Sequence, residues 1–530
     1  MISLQNILLL VVVTLHGSDG ARILGLFPIP GRSHMNVNAA IIEELARRGH
    51  QVTVVSPFPL AKPIPNYTEM VMKKMDIEDM GNATGSAERF DPFDMKDMNY
   101  IAKVAMLWGF GQAFCDMFLQ DPAVQKLMQS DDLQFDLIMT ENFYLDCFLG
   151  FAHKYKVPVV QVCSFGGSEV IGDLVGNPYP YAYVPDVFQE LTDKMDFKGR
   201  LQNTLGLLFQ QLGKIIYYIP KQNALMRKHF NSPDMPSIME LEKYTALVLV
   251  NHHFSISYPR PLMPNLVQVG GMHIKPPKEL PQDLKKFLDE APDGVIFFSM
   301  GSNLKSSKMK EGTIKALVEA FSKLKQKVLW KWETDSLPGQ PKNLKLGKWL
   351  PQSDILAHPN VRLFITHGGL LSTQETIARG VPIVGIPIFG DQRLNMNTAL
   401  ARGYGQILEY ENITTESVLW AINEVLENPR YRENAQRLSR IYRDQPLSPL
   451  DQAVFWTEYV IRHKGAPHMR SAALDLAWYQ YFLLDVIAVL ALGTGTVLFV
   501  VFVIVRALLR KLCGGTKSKV TKVSDKKKRK

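Results

Sequence analysis

Cysteine is scarce in this chain. Four cysteines occur in 530 residues, too few for a fold built on a disulfide framework. Only Cys115, Cys147 and Cys163 precede the C-terminal region, so at most one internal disulfide is expected there. No Gly-x-x-x-x-Gly-Lys-[Ser/Thr] run is present, which excludes the P-loop route to a nucleotide phosphate. Glycine and proline, at 36 and 32, are not enriched, which excludes collagen-like and low-complexity classes. Charged residues make up 21% and hydrophobic residues 46%, the balance of a globular chain. At about 100–200 residues per domain, the length suits two or three domains.

Positive charge is also missing from most of the chain, although the total is +9. Residues 506–530 carry eleven Lys/Arg against one acid, Asp525, a net +10, so everything before them sums to −1. A near-neutral body does not suit a nucleic-acid binder. The tail follows an uncharged run, 486–505, whose twenty residues span about 30 Å as a helix, the thickness of a hydrocarbon core. Trp478, Tyr479 and Tyr481 stand before it as an interfacial belt would. The N-terminus has an apolar run, 7–15, followed by Gly17, Ser18, Gly20 and Ala21. Although no Lys or Arg precedes it, this reads as a secretory signal over 1–20. The positive-inside rule then puts the tail in the cytosol and the body in the lumen. The ending Lys527-Lys528-Arg529-Lys530 resembles a dilysine retrieval signal, which implies a type I protein of the endoplasmic reticulum membrane; it also reads as a lipid-attracted polybasic stretch. Asn66, Asn82 and Asn412 head N-glycosylation sequons. Cys513 is juxtamembrane, as a palmitoylated cysteine or a free thiol would be.

The body alternates β-like and helical patterns. Strands are expected at 22–28, 51–56, 136–141, 157–162 and 246–251, the last closing the first half. Helices are expected at 34–48, where Val37, Ile41 and Leu45 repeat every four residues, and at 145–156. A Pro-rich stretch, 259–293, reads as a linker. Beyond it come strands 295–300, 327–333, 362–366 and 381–386, with helices 310–325 and 369–379. The alternation predicts parallel sheets, hence an α/β chain of two doubly wound domains facing a cleft. The expected boundaries are 21–258 and 294–465, then a stem, 466–485, and the 486–505 span. Segments 58–132 and 164–240 are rich in Met and aromatics, as adaptable apolar surface is. Within 201–219, Leu205, Leu208, Phe209, Leu212, Ile215 and Ile216 share a helical face; it reads as core packing in preference to a membrane contact.

Ligands of open parallel sheets bind beyond the carboxyl ends of strands, and the chemistry-bearing residues cluster there. Thr366-His367-Gly368-Gly369 ends a strand and starts a helix, where free N–H groups favour phosphate. Ser372 and Glu375 follow, and the Glu375 carboxylate can accept both hydroxyls of a ribose. Upstream, Trp349 offers a flat face to a base and Gln352 an amide to its edge. Downstream, Asp391-Gln392 can bind adjacent sugar hydroxyls. The segment 349–392 resembles the signature of the UDP-glycosyltransferases, membrane-bound animal type, and 46–57 is similar to the insect branch.

That resemblance implies a GT-B fold, a UDP-sugar donor and small lipophilic acceptors. It implies that Ser299, Gly301 and Ser302 form a phosphate loop and that Arg260 reaches the nucleotide. It also implies a catalytic His34, oriented by a carboxylate at the end of strand 136–141. Glu141 matches by position and Asp146 by residue type, so both remain open. The implied reaction is an inverting hexosyl transfer, most simply from UDP-glucose; Arg393 keeps UDP-glucuronate open as donor. The adjacent His252-His253 point to opposite faces of a strand, so no metal site is expected, and no cofactor beyond the co-substrate. A homo-oligomer stays open. The competing expectations are a non-catalytic UDP-sugar binder and a membrane-anchored nucleotide hydrolase.

Overall fold

In the computed structural model the described residues are 20–73 and 91–513. The expected signal segment up to residue 19, the Asn82 sequon and the dilysine ending lie outside them. The described chain divides into two compact units, 1–471 and 472–530.

The first unit holds two parallel sheets. One has the order β3-β2-β1-β4-β5-β6-β7 and the other β10-β9-β8-β11-β12-β13. The first sheet comprises β1 (Arg22–Leu26), β2 (Gln51–Ser56), β3 (Tyr67–Val71), β4 (Leu137–Glu141), β5 (Val159–Cys163), β6 (Thr245–Val250) and β7 (Leu266–Gln268). The second comprises β8 (Val295–Ser299), β9 (Lys327–Lys331), β10 (Leu344–Gly347), β11 (Val361–Thr366), β12 (Ile383–Gly385) and β13 (Gly405–Ile407). The central strands β4, β5 and β8 are buried along their whole length, as expected where helices cover both faces of a parallel sheet. In each sheet the strand order reverses once, between β1 and β4 and between β8 and β11. Such reversals splay the outgoing loops and open a crevice. Every strand expected from the sequence is present, and the four unexpected ones, β3, β7, β10 and β13, are short or lie at sheet edges.

Three expectations need correction. The stretch 246–251 does not close the first half, because β7 adds a further strand beside β6, with Val248 opposite Leu266. The supposed linker 259–293 is therefore divided. Its β7 completes the first sheet, while its Gln282–Asp289 helix packs Leu284 and Leu288 into the core of the second. Likewise, the Pro449–Arg462 helix returns to the first sheet, burying Ala453, Val454 and Val460 with Val37, Ile41 and Leu45. Arg48 and Asp451 form an ion pair at 2.5 Å on that contact. Finally, Leu205, Leu208, Leu212, Ile215 and Ile216 are exposed, so the 201–219 face is not core; only Phe209 packs against it.

The one disulfide among the described residues joins Cys115 and Cys147 across a sequence separation of 32; Cys163 is buried and free. It ties the Tyr100–Leu119 helix to the turn after β4. In the second unit, the Leu484–Cys513 helix is long and apolar enough to cross a membrane; it contains the expected 486–505 run and continues into the basic residues Arg506, Arg510 and Lys511. Replacing both Cys115 and Cys147 by Ser should lower the stability of the body by about 2–4 kcal/mol. A chemical-denaturation midpoint unchanged by that double substitution would contradict this role.

Candidate active site

The first wall of the cleft grows from the reversal between β1 and β4. After β1 the chain passes Gly31 and enters the Arg32–Arg47 helix, which carries His34 in its first turn. A Cβ on Gly31 would come within 2.8 Å of His34 Cδ2, so the glycine lets the ring lie against the backbone. Glu141, the last residue of β4, is 3% exposed. His34 Nδ1 meets Glu141 Oε1 at 2.5 Å. Ser164 Oγ donates to the same oxygen at 2.5 Å, and Asn38 Nδ2 donates to Oε2 at 2.8 Å. The His34 ring is flanked by Phe143 and Phe165, with centroids 5.0 and 5.4 Å away. Burial pushes the imidazole pKa down. The Glu141 charge, its hydrogen bond and the Asp391 charge outweigh that and hold it above the usual histidine value. With Nδ1 engaged, Nε2 is the nitrogen left to exchange a proton with a ligand.

The second wall grows from the reversal between β8 and β11. Ser299 ends β8 and accepts from Gly301 N at 3.2 Å. His367 follows β11 and fills the space between two glycines. A Cβ on Gly301 would sit 2.6 Å from its Cε1, and one on Gly369 2.5 Å from its Nε2. Gly301 and Gly368 also adopt φ of +81° and +84°, the left-handed region that glycine enters without strain. Burial, and then the Lys331 charge, push His367 down to about 4, so at neutral pH it is an uncharged hydrogen-bond partner. Lys331 Nζ donates to the Gly301 carbonyl. Thr366 is fully buried, and its Oγ1 accepts from Gly368 N at 3.3 Å.

Two further groups complete this wall. Gln352 Nε2 donates to Ser372 Oγ at 3.0 Å and to Glu375 Oε2 at 2.6 Å, and burial raises Glu375 to about 7. Trp349, upstream, is 70% exposed, with the Lys331 ammonium over its ring at 5.8 Å from the centroid. Beyond β12, Gln392 Oε1 accepts from the backbone N–H groups of Ile388 and Phe389 at 2.8 and 3.1 Å. Asn395 Nδ2 donates to Asp391 Oδ2 at 3.1 Å and to the Gly368 carbonyl at 3.0 Å. Burial raises Asp391 to about 6.

Between the walls lies a cavity of about 200 Å³. His34, Gly301, Ser302, His367, Gly369, Ser372, Asp391 and Gln392 line it, together with apolar side chains such as Met106, Phe110, Phe143, Phe165 and Phe389. The arrangement offers a fixed imidazole, a carboxylate facing it, and backbone N–H groups at the start of the Leu370–Arg379 helix.

Most sequence-predicted residues converge on this cleft. Asp146 does not join His34; it lies in a separate cavity with Tyr218 and Lys214. Arg260 is absent from the cavity lining and donates to the Gly167 carbonyl at 3.0 Å. Arg393 forms a two-pronged pair with Glu409, outside the lining. Asn66 and Asn412 are both described, Asn66 at the entry to β3. Four supporting residues, Asn38, Ser164, Lys331 and Asn395, lie outside the sequence motifs. Asn38 and Asn395 each lie four residues, one helical turn, beyond His34 and Asp391, a spacing that signals a shared face. Ser164 and Lys331 carry no local signal, because their roles depend on strand order.

The chain is similar to known proteins over most of its length. Residues 23–520 match the family model described as "UDP-glucoronosyl and UDP-glucosyl transferase". UDP-glycosyltransferase UGT5 of Dactylopius coccus is 40% identical over 498 residues, 93% of each chain. UDP-glucuronosyltransferase 2B30 of Macaca fascicularis is 32% identical over 97% of this chain and 98% of its own. Among solved structures, UDP-glucose: anthocyanidin 3-O-glucosyltransferase in complex with UDP aligns with a TM-score of 0.56 at 17% identity, covering 84% of this chain and 99% of that one. The calicheamicin glycosyltransferase CalG4 aligns at 0.54 and 18% identity over 84% and 99%. The fold is of the GT-B type, and the chain belongs to the UDP-glucuronosyl and UDP-glucosyl transferase family.

Proposed function

We propose that the protein is an inverting transferase that moves a hexose, with glucose the preferred sugar, from UDP to a hydroxyl of a small apolar acceptor. Phenols, steroids and similar foreign compounds are the acceptor class, and conjugation for detoxification is the role. The observation that carries this reading is His34, fixed by Glu141 and flanked by aromatic rings, facing the loops after β8, β11 and β12 across one cavity.

His34 Nε2 takes the acceptor hydroxyl proton as the oxygen attacks the sugar anomeric carbon. The bond from that carbon to the diphosphate oxygen breaks on the opposite face, so configuration inverts and UDP leaves with the bonding pair. Glu141 keeps the imidazole oriented and stabilises its cationic form. Ser299, Gly301, Ser302, Thr366, His367, Gly368, Gly369 and Ser372 receive the diphosphate through hydroxyls and N–H groups. Trp349 and Gln352 take the base, Glu375 the ribose hydroxyls, and Asp391 and Gln392 the sugar. The reaction as proposed uses no metal ion and no cofactor. Arg260 sits apart and contributes through the fold. Engagement of Arg393 by Glu409 favours a neutral sugar over glucuronate.

The body is placed in the lumen of the endoplasmic reticulum, anchored by the Leu484–Cys513 helix with the tail in the cytosol. A disulfide suits that oxidising compartment, and the basic residues after the apolar run suit the orientation.

His34→Ala should reduce kcat by about 100- to 10,000-fold while UDP binding, measured by calorimetry, persists; unchanged turnover sinks the proposal. Because the base must be neutral, kcat/KM should rise with pH through a His34 titration lying above the usual value near 6.5. Glu141→Gln should move this acidic limb to lower pH, and a limb that stays put would argue against the pairing. Glu375 loses its charge below about 7, so UDP affinity should fall with decreasing pH across neutrality; Glu375→Gln should flatten that profile. In a competition assay with equal donors, UDP-glucose should be consumed ahead of UDP-glucuronate, and the reverse order would assign the other sugar.

A further inference from the structure

The Phe197–Gly213 helix is turned inside out for a body surrounded by water. Its buried face carries Gly199, Asn203, Gly206, Leu207 and Gln210, one large apolar side chain among small and polar ones. These polar groups are met inside. Asn203 Nδ2 donates to the carbonyls of Tyr181 and Val184 at 2.8 and 2.9 Å. Gln210 Nε2 donates to Asp186 Oδ2 at 2.7 Å. A single π turn, Lys214–Tyr218, continues the inversion: Lys214 is 8% exposed and pairs with Glu242 at 2.9 Å.

The outer face is the apolar one. Leu201, Leu205, Leu208, Leu212, Ile215 and Ile216 are between 43% and 73% exposed, and at 100° per residue they fall within an arc of about 100°. From Leu201 to Tyr217 no exposed residue is charged, and from 197 to 221 the sequence has no acid. Cations bracket the stripe, with Lys198 and Arg200 before it and Lys221 after it, all exposed. An apolar stripe of this size on a free surface marks an interaction site. Leucines and isoleucines on one face, with cations at both ends and no acid, are the composition of a helix lying in a lipid interface, where Lys and Arg stems extend toward the headgroups. Only residues 472–483 separate the body from the Leu484–Cys513 helix, a reach of at most about 45 Å.

We propose that this face lies in the headgroup–acyl boundary of a lipid bilayer, so that the body contacts the membrane through a second element besides its spanning helix. The inference rests on the membrane-anchored reading above. The cavity behind the π turn shares Phe143, Phe165 and Phe188 with the main cleft, so the lipid-facing helix backs onto the wall that an apolar acceptor meets.

The test uses the full chain with Cys513→Ser, reconstituted in phosphatidylcholine vesicles, with an environment-sensitive fluorophore on Leu208→Cys. Reference labels sit at Leu498→Cys in the apolar helix and at Trp420→Cys, an exposed position of the second half. The expected result is a blue-shifted Leu208 emission, quenched several-fold more strongly by lipid-borne doxyl groups than the Trp420 label. Quenching by aqueous iodide equal to that at Trp420 overturns the proposal. So does protection that grows with protein density and is insensitive to doxyl lipids, which would identify a second copy as the occupant. A Leu498 label that escapes doxyl quenching defeats the anchor reading itself, and this proposal with it. On the chain without substitutions, a photoactivatable phosphatidylcholine should crosslink within 201–217 as well as within the apolar helix. Crosslinks confined to the apolar helix overturn the proposal without any question of misfolding.

Discussion

A carboxylate at the end of a buried parallel strand is a demanding object. Glu141 has almost no solvent to share its charge, and a buried charge that loses its partner costs about 3–5 kcal/mol. Its neighbours are therefore prescribed. Three donors from two elements meet its two oxygens: His34 and Asn38 from the first helix, and Ser164 from the turn after β5. Each is in place only if β1, β4 and β5 lie side by side in register, with Leu26 opposite Thr140 and Glu141 opposite Val162. The strand order that satisfies the carboxylate is the one that opens the cleft, and the same contact orients the imidazole in it.

The opposite wall obeys a steric constraint. His367 occupies a slot whose sides are Gly301 and Gly369, from loops leaving adjacent strands β8 and β11. Any side chain at either glycine would collide with the ring. The close packing brings the backbone to the start of the Leu370–Arg379 helix, where N–H groups favour an anion. The electrostatics agree: His367 and Asp391 are both pushed toward neutrality by burial, which suits a site that binds a polyanionic nucleotide beside a hydroxylated sugar.

How much of this was legible in the sequence depends on the range of the signal. The central strands were readable because burial on both faces leaves an unbroken apolar run. The edge strands β3 and β10 were not, since half-exposed residues such as Thr68, Glu69 and Lys345 carry no such run. The cleft residues could be named from motif order, yet the choice between Glu141 and Asp146 could not be made. Five residues of separation become a change of cavity only once β4 ends and the chain turns. The surroundings of Arg260 and Arg393 are hidden from the sequence for the converse reason: their partners, the Gly167 carbonyl and Glu409, are fixed by tertiary structure. The stripe in 201–219 reads as core from the sequence because helical periodicity records a stripe but not which way it faces.

The Pro449–Arg462 helix has a consequence for how the chain is made. It supplies apolar surface to the first sheet, against the helix that bears His34, although some four hundred residues separate them. The N-terminal half thus lacks part of its core until nearly the whole body has been synthesised. Domains that are contiguous in sequence can fold in turn as they emerge from the ribosome. Here the first half to emerge is the last to be completed. A chain truncated anywhere between residues 269 and 448 would leave the His34 helix with an uncovered apolar back, even though every residue of its own sheet had already been made.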